Sequence, residues 1–112
     1  MITANEIKSA LFPIAPAAHR KYRGTATTYI TFFMYNEQAE AYAENEPIAG
    51  GTYWQIDLWR TKDDPCTVDL FELKDQIEST LKTLGFEDFT AQDLYESDTE
   101  TDHIALRCNY IE

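Results

Sequence analysis

The sequence predicts an α+β domain of order α-β-β-α-β-β, built as a mainly antiparallel four-stranded sheet with two helices on one face. Three observations carry this reading. Period-two alternation recurs in the segments rich in β-branched and aromatic residues, an apolar stripe of helical period runs from Val68 to Leu84, and no linker, repeat or low-complexity tract divides the 112 residues. A chain of this length suits one domain, 1–112, with a single modest core.

The elements follow in order. Thr3 and Glu6 have the spacing of a capping box, and Ile7, Ala10, Leu11 and Ile14 continue at helical intervals until Pro13 and Pro16 stop the run. A polar, basic segment from Ala18 to Gly24 comes next. Thr27 to Tyr35 then reads as a strand, with Ile30, Phe32 and Met34 on one face and Tyr29, Thr31, Phe33 and Tyr35 on the other. From Glu37 to Glu46 alanines alternate with Glu40, Tyr42 and Glu44, which suggests a strand extension or projecting arm, with the reversal at Pro47 and Gly50-Gly51. Thr52 to Thr61 forms the second strand, placing Trp54, Ile56 and Leu58 opposite Tyr53, Gln55, Asp57 and Trp59.

After Asp63-Asp64-Pro65, Thr67 is read as the N-cap of a helix over Val68–Leu84. Leu70, Leu73, Ile77, Leu81 and Leu84 form its stripe, Gly85 its C-terminal glycine and Phe86 the hydrophobic clasp. Two strands close the domain, around Glu87–Glu96 and Asp102–Ile111, joined by the acidic turn 97–101. In the last strand Ile104, Leu106, Cys108 and Tyr110 face inward, and His103, Ala105, Arg107 and Asn109 outward. Two helices cover one face of such a sheet. Tyr29, Phe33, Tyr35, Tyr53 and Trp59 fall on the other, an aromatic surface that favours a partner, above all another copy of the chain.

Twenty acidic against nine basic residues give a net charge of −11, which disfavours a general polyanion-binding role. The charge is also polar along the chain. Residues 1–35 hold Lys8, Arg20, Lys21 and Arg23 against Glu6 alone, a balance of +3 that leaves −14 for the rest. Neighbouring copies touching basic edge to acidic edge would satisfy that asymmetry. The N-terminus lacks the basic start and apolar run of a signal peptide, and no stretch is apolar enough to span a bilayer, so a soluble protein made inside the cell is expected. Cys66 and Cys108 have no metal-binding spacing and read as two reduced thiols.

Signatures of catalysis are thin. The sequence has no H-E-x-x-H, no G-x-S-x-G and no phosphate-binding glycine pattern, and Gly50-Gly51 lacks the lysine and helix that a phosphate site needs. Neither His19 nor His103 stands in a catalytic pattern; His103 reads as a surface or interface histidine opening the last strand. Glu96-x-Asp98-x-Glu100-x-Asp102 superficially resembles the start of a calcium loop but lacks its glycine and closing glutamate, so a solvated acidic turn is preferred. Arg20-Lys21-Tyr22-Arg23 could touch phosphates, yet the acidity of the chain favours a salt-bridging loop at a subunit contact. No catalytic residue, cofactor or metal is expected. The candidate interface residues are Arg20, Lys21, Arg23, Tyr29, Phe33, Tyr35, Tyr53 and Trp59.

Several phrases also carry a resemblance. Thr28-Tyr29-Ile30-Thr31-Phe32, Tyr53-Trp54-Gln55-Ile56-Asp57-Leu58-Trp59, Leu84-Gly85-Phe86, Asp93-Leu94-Tyr95-Glu96-Ser97-Asp98-Thr99 and His103-Ile104-Ala105-Leu106-Arg107 occur in this order over most of the chain. Their succession resembles the small tail-completion, or tail-terminator, proteins of siphophages and Gram-positive prophages. The resemblance implies a structural virion protein and not an enzyme: a hexameric ring that caps the tail tube at the head-proximal end and offers the head-tail joining surface. The partners it implies are further copies of the chain, the tail tube protein and the head connector or head-completion protein. DNA would only pass through the lumen, where carboxylates repel it, and no membrane is involved. Two other readings share the composition: a head-completion or connector protein of the same neck region, and an acidic DNA-mimicking inhibitor.

Overall fold

The computed structural model describes residues 2–38, 41–43, 46–48, 51–65 and 68–111, with residues 38, 41–43 and 46–48 described for their backbone alone. Its elements are α1 (Ala4–Leu11), β1 (Ala17–His19), β2 (Thr28–Gln38), β3 (Ala41–Ala43), β4 (Glu46–Ile48), β5 (Gly51–Thr61), α2 (Leu70–Leu84), β6 (Phe86–Glu96) and β7 (Thr101–Ile111). The class is α+β with two helices, but the expected four-stranded antiparallel sheet is corrected to a five-stranded mixed one. Its order is β1-β2-β5-β7-β6, and β1 runs parallel to β2 while the other neighbours are antiparallel.

The added strand explains the correction. Ala17-Ala18-His19 is too short to show an alternation, and its basic continuation reads as a loop. It is nevertheless fastened at both ends, since the Ile30 N–H donates to the Pro16 carbonyl (2.8 Å) and the Arg20 N–H to the Phe32 carbonyl (2.8 Å). The Glu37–Glu46 stretch is strand in its described parts, Glu37-Gln38 at the end of β2, Ala41–Ala43 in β3 and Glu46 in β4, but its reversal is revised. β3 and β4 form a separate two-stranded sheet with Ala43 opposite Glu46 and Tyr42 opposite Pro47, so the hairpin closes there and not at Pro47 and Gly50-Gly51. Pro47 lies within β4 and Gly51 already opens β5.

The helix ends follow local chemistry. At α1 the Glu6 N–H donates to Thr3 Oγ1 (3.2 Å) and the Thr3 N–H to the Glu6 carboxylate (2.9 Å), completing the capping box. α2 begins at Leu70, later than expected, because Asp69 is its cap and accepts from the Phe71 N–H (2.9 Å). Thr67, the expected cap, lies outside the described residues. Gly85 ends α2 with φ +110°, a conformation that favours glycine, and a Cβ there would also stand 3.2 Å from the Tyr110 ring. Phe86 follows, buried.

Both helices pack on one face of the sheet. Ile7 and Leu11 of α1 and Ile77 and Leu81 of α2 join Ile30, Phe32, Trp54, Ile56, Leu58, Ile104, Leu106 and Cys108 in one buried cluster. Met34 departs from the expected inward row: it is 42% exposed, where β2 runs on past this cluster toward the hairpin. Among the described residues no helix is long and apolar enough to cross a membrane.

Cys108 is a free thiol inside this core, and Cys66 lies outside the described residues. Burial, and to a smaller extent the nearby Glu78 carboxylate, push the Cys108 thiol from the ordinary 9.0 up to about 12. Two results are expected. Peptide-resolved mass spectrometry after iodoacetamide treatment at pH 8 should find Cys108 unmodified in the folded chain and modified in urea. Stability should also fall as pH rises from about 9 toward 12, because in that window the unfolded thiol has released its proton and the folded one has not.

Candidate assembly face

The opposite face of the sheet carries no helix among the described residues, and its side chains are placed by strand register. Three rows cross it from β2 to β6: Tyr29–Trp59–His103–Leu94, Thr31–Asp57–Ala105–Gln92 and Phe33–Gln55–Arg107–Thr90. Each row sets side chains on neighbouring strands about 5 Å apart, close enough for rings to stack and polar groups to bond.

The first row is an aromatic stack. Tyr22 folds back from the segment after β1 and lies on Tyr29, with ring centroids 4.5 Å apart. Tyr29 and Trp59 follow at 6.3 Å, then Trp59 and His103 at 3.7 Å and nearly parallel, 11°. Two hydrogen bonds hold the row: the Ala26 N–H donates to the Tyr22 hydroxyl (3.0 Å), and Trp59 Nε1–H to Thr31 Oγ1 (2.9 Å). Gly24 makes room for the folded-back tyrosine, since a Cβ at that position would run into the Tyr22 ring. Burial, and after it Tyr22, raise the Tyr29 phenol above its ordinary pKa.

His103, expected at the surface or an interface, is enclosed within the chain between two acids. Its Nε2 lies 2.6 Å from Asp57 Oδ1 and its Nδ1 3.0 Å from Glu96 Oε1. The His103 and Asp57 side chains are 8% and 6% exposed, Glu96 46%. Gln55 Nε2–H also donates to Asp57 Oδ1 (2.9 Å). Each acid–imidazole contact needs one proton, supplied by the ring or by the acid. With both nitrogens engaged and Trp59 over its face, the imidazole has no free nitrogen for a ligand; it ties β7 to β5 and β6.

Toward the hairpin the face becomes more open. Arg107 donates from Nε to Gln55 Oε1 (3.0 Å) and lies over the Tyr35 ring, 4.8 Å from its centroid. Tyr35 packs at a tilt on Tyr53 (6.1 Å) and is 41% exposed.

The structure therefore gathers Tyr29, Phe33, Tyr35, Tyr53 and Trp59 on one uncovered face, with Tyr35 exposed and the other four half-buried. Arg20, Lys21 and Arg23 are exposed beside it, and among the described residues none of the three forms an ion pair. The acidic residues at alternate positions 96–102 scatter. Glu96 turns to His103, Glu100 pairs with Lys62 and Asp102 sits in β7, and no metal-binding group of three is found among the described residues.

Asp57, Gln55, Glu96 and Arg107 are the members that the sequence reading passed over. A usable signal existed: Asp57 is a carboxylate in the middle of an apolar strand, with the same outward parity as a histidine in another strand. Which acid meets which base depends on the order β5-β7-β6, and periodicity does not give strand order.

Compared with models of protein families and with curated protein sequences, the chain matches none.

Proposed function

We propose that this chain is a structural subunit of a phage tail, a tail-completion protein that assembles as a ring on the end of the tail tube and supplies the surface for head joining. The observation that carries the assembly part is the uncovered sheet face. Its rings are aligned by strand register and half-buried, as expected of a surface prepared for a protein partner. The tail itself comes from the succession of sequence phrases from Thr28-Tyr29-Ile30-Thr31-Phe32 to His103-Ile104-Ala105-Leu106-Arg107.

The partner along the borders of that face is another copy of the chain. A ring needs two unlike lateral surfaces related by rotation, and a chain that is +3 over residues 1–35 and −14 beyond supplies unlike charges. Carboxylates turned toward the central hole would let DNA pass without binding.

The test is tube growth. Purified chain added while tail tube protein polymerises should arrest elongation and be found at one tube end in electron micrographs. Tubes of unchanged length with bare ends would overturn the reading, and binding to the head portal instead of the tube would move the protein to the head side of the joint.

A further inference from the structure

The order of the sheet separates the two charges that a ring contact requires. β1 and β6 are its opposite edges. The segment after β1 bears Arg20, Lys21 and Arg23 with no acid, while residues 86–100, β6 and the turn after it, bear six carboxylates and no lysine or arginine. The aromatic row joins these same edges. It starts at Tyr22, between Lys21 and Arg23, and ends at Leu94, between Asp93 and Tyr95. Leu94 is 39% exposed on the face of the row and Tyr95 58% on the opposite face, both on an edge strand with no neighbour beyond it among the described residues. An exposed edge of this kind calls for a cover.

We propose that the segment 20–23 of one copy docks against β6, around Asp93–Glu96, of the next copy, so that the row runs on from Leu94 of one subunit to Tyr22 of its neighbour. This rests on the ring reading and assigns its lateral contact. The contact is heterologous: one edge meets the other, each subunit gives both, and repetition closes a ring or extends a filament. Charge sets the direction, because two basic segments or two acidic edges brought together repel. Leu94, on the face of the row, loses water on contact with Tyr22 and the aliphatic stems of Lys21 and Arg23.

Charge reversal tests the assignment. The substituted positions are exposed and lie outside the His103 network. Lys21→Glu/Arg23→Glu and Asp93→Lys/Asp98→Lys should each raise the concentration at which oligomers form by about tenfold or more in sedimentation velocity at low salt. The chain carrying all four substitutions should recover to within about threefold of the original. Unchanged far-ultraviolet circular dichroism and melting temperature show that each variant is folded. If the unsubstituted chain forms rings and both double variants form them equally well, or if the fourfold variant is no better than the doubles, the contact is wrong and the ring reading stands. If the unsubstituted chain forms no ring with or without tail tubes, both fall together.

Discussion

Replacing His103 by leucine is expected to destabilise the fold by about 3 to 5 kcal/mol, among the largest effects of any single substitution on the uncovered face. The reason is what the substitution leaves behind. Asp57, 6% exposed, would keep only the Gln55 donor to its Oδ1 after losing the ring 2.6 Å away. A buried carboxylate without its cation or proton source is costly, whereas a buried pair as a whole often contributes little. His103→Leu/Asp57→Leu should therefore be more stable than His103→Leu alone. Urea unfolding followed by tryptophan fluorescence measures all three chains, and additive losses would show that the two side chains act separately. Glu96→Gln should cost far less, because Glu96 is 46% exposed and solvent screens its contact.

Phe32→Ala is expected to cost about 3 to 5 kcal/mol, by lost burial and by the cavity that remains. Phe32 is fully buried, lies 5.5 Å from the His19 ring and 6.3 Å from the Trp54 ring, and accepts the Arg20 N–H at its carbonyl. Its ring thus supports β1 through His19, while the backbone bond to Arg20 would remain in the alanine variant. The loss should exceed that of Met34→Ala by several-fold, since Met34 is 42% exposed two residues along the same strand. Equal losses at the two positions would contradict the burial of Phe32 and the exposure of Met34. With total stabilities of small domains in the range of about 5 to 15 kcal/mol, Phe32→Ala removes between about a fifth and all of the margin.

These expectations show which parts of the molecule were legible from sequence. Helix α2 was readable because five apolar residues recur at helical spacing and Gly85 occupies a position whose φ of +110° favours glycine. Strands β2, β5 and β7 were readable from their period-two alternation, and the aromatic residues of the uncovered face from its parity. β1 escaped because three residues make no pattern; parallel pairing with β2 defines it. The His103 tie escaped for a related reason. Parity puts Asp57, Glu96 and His103 on one face, and only the order β5-β7-β6 brings the acids to the two sides of the imidazole. The opposition of charged edges was half legible: the chain showed unlike halves, and the sheet order sets the segment 20–23 and β6 at its two ends.

Sedimentation velocity of the purified chain, across concentration and with negative-stain images of the same samples, tests the central claim most directly. The account predicts a closed ring with one preferred copy number; six copies of 12.9 kDa give about 77 kDa, with a central hole and a stability that falls with added salt. A species of 12.9 kDa at every concentration, unchanged when tail tubes are added, would contradict it.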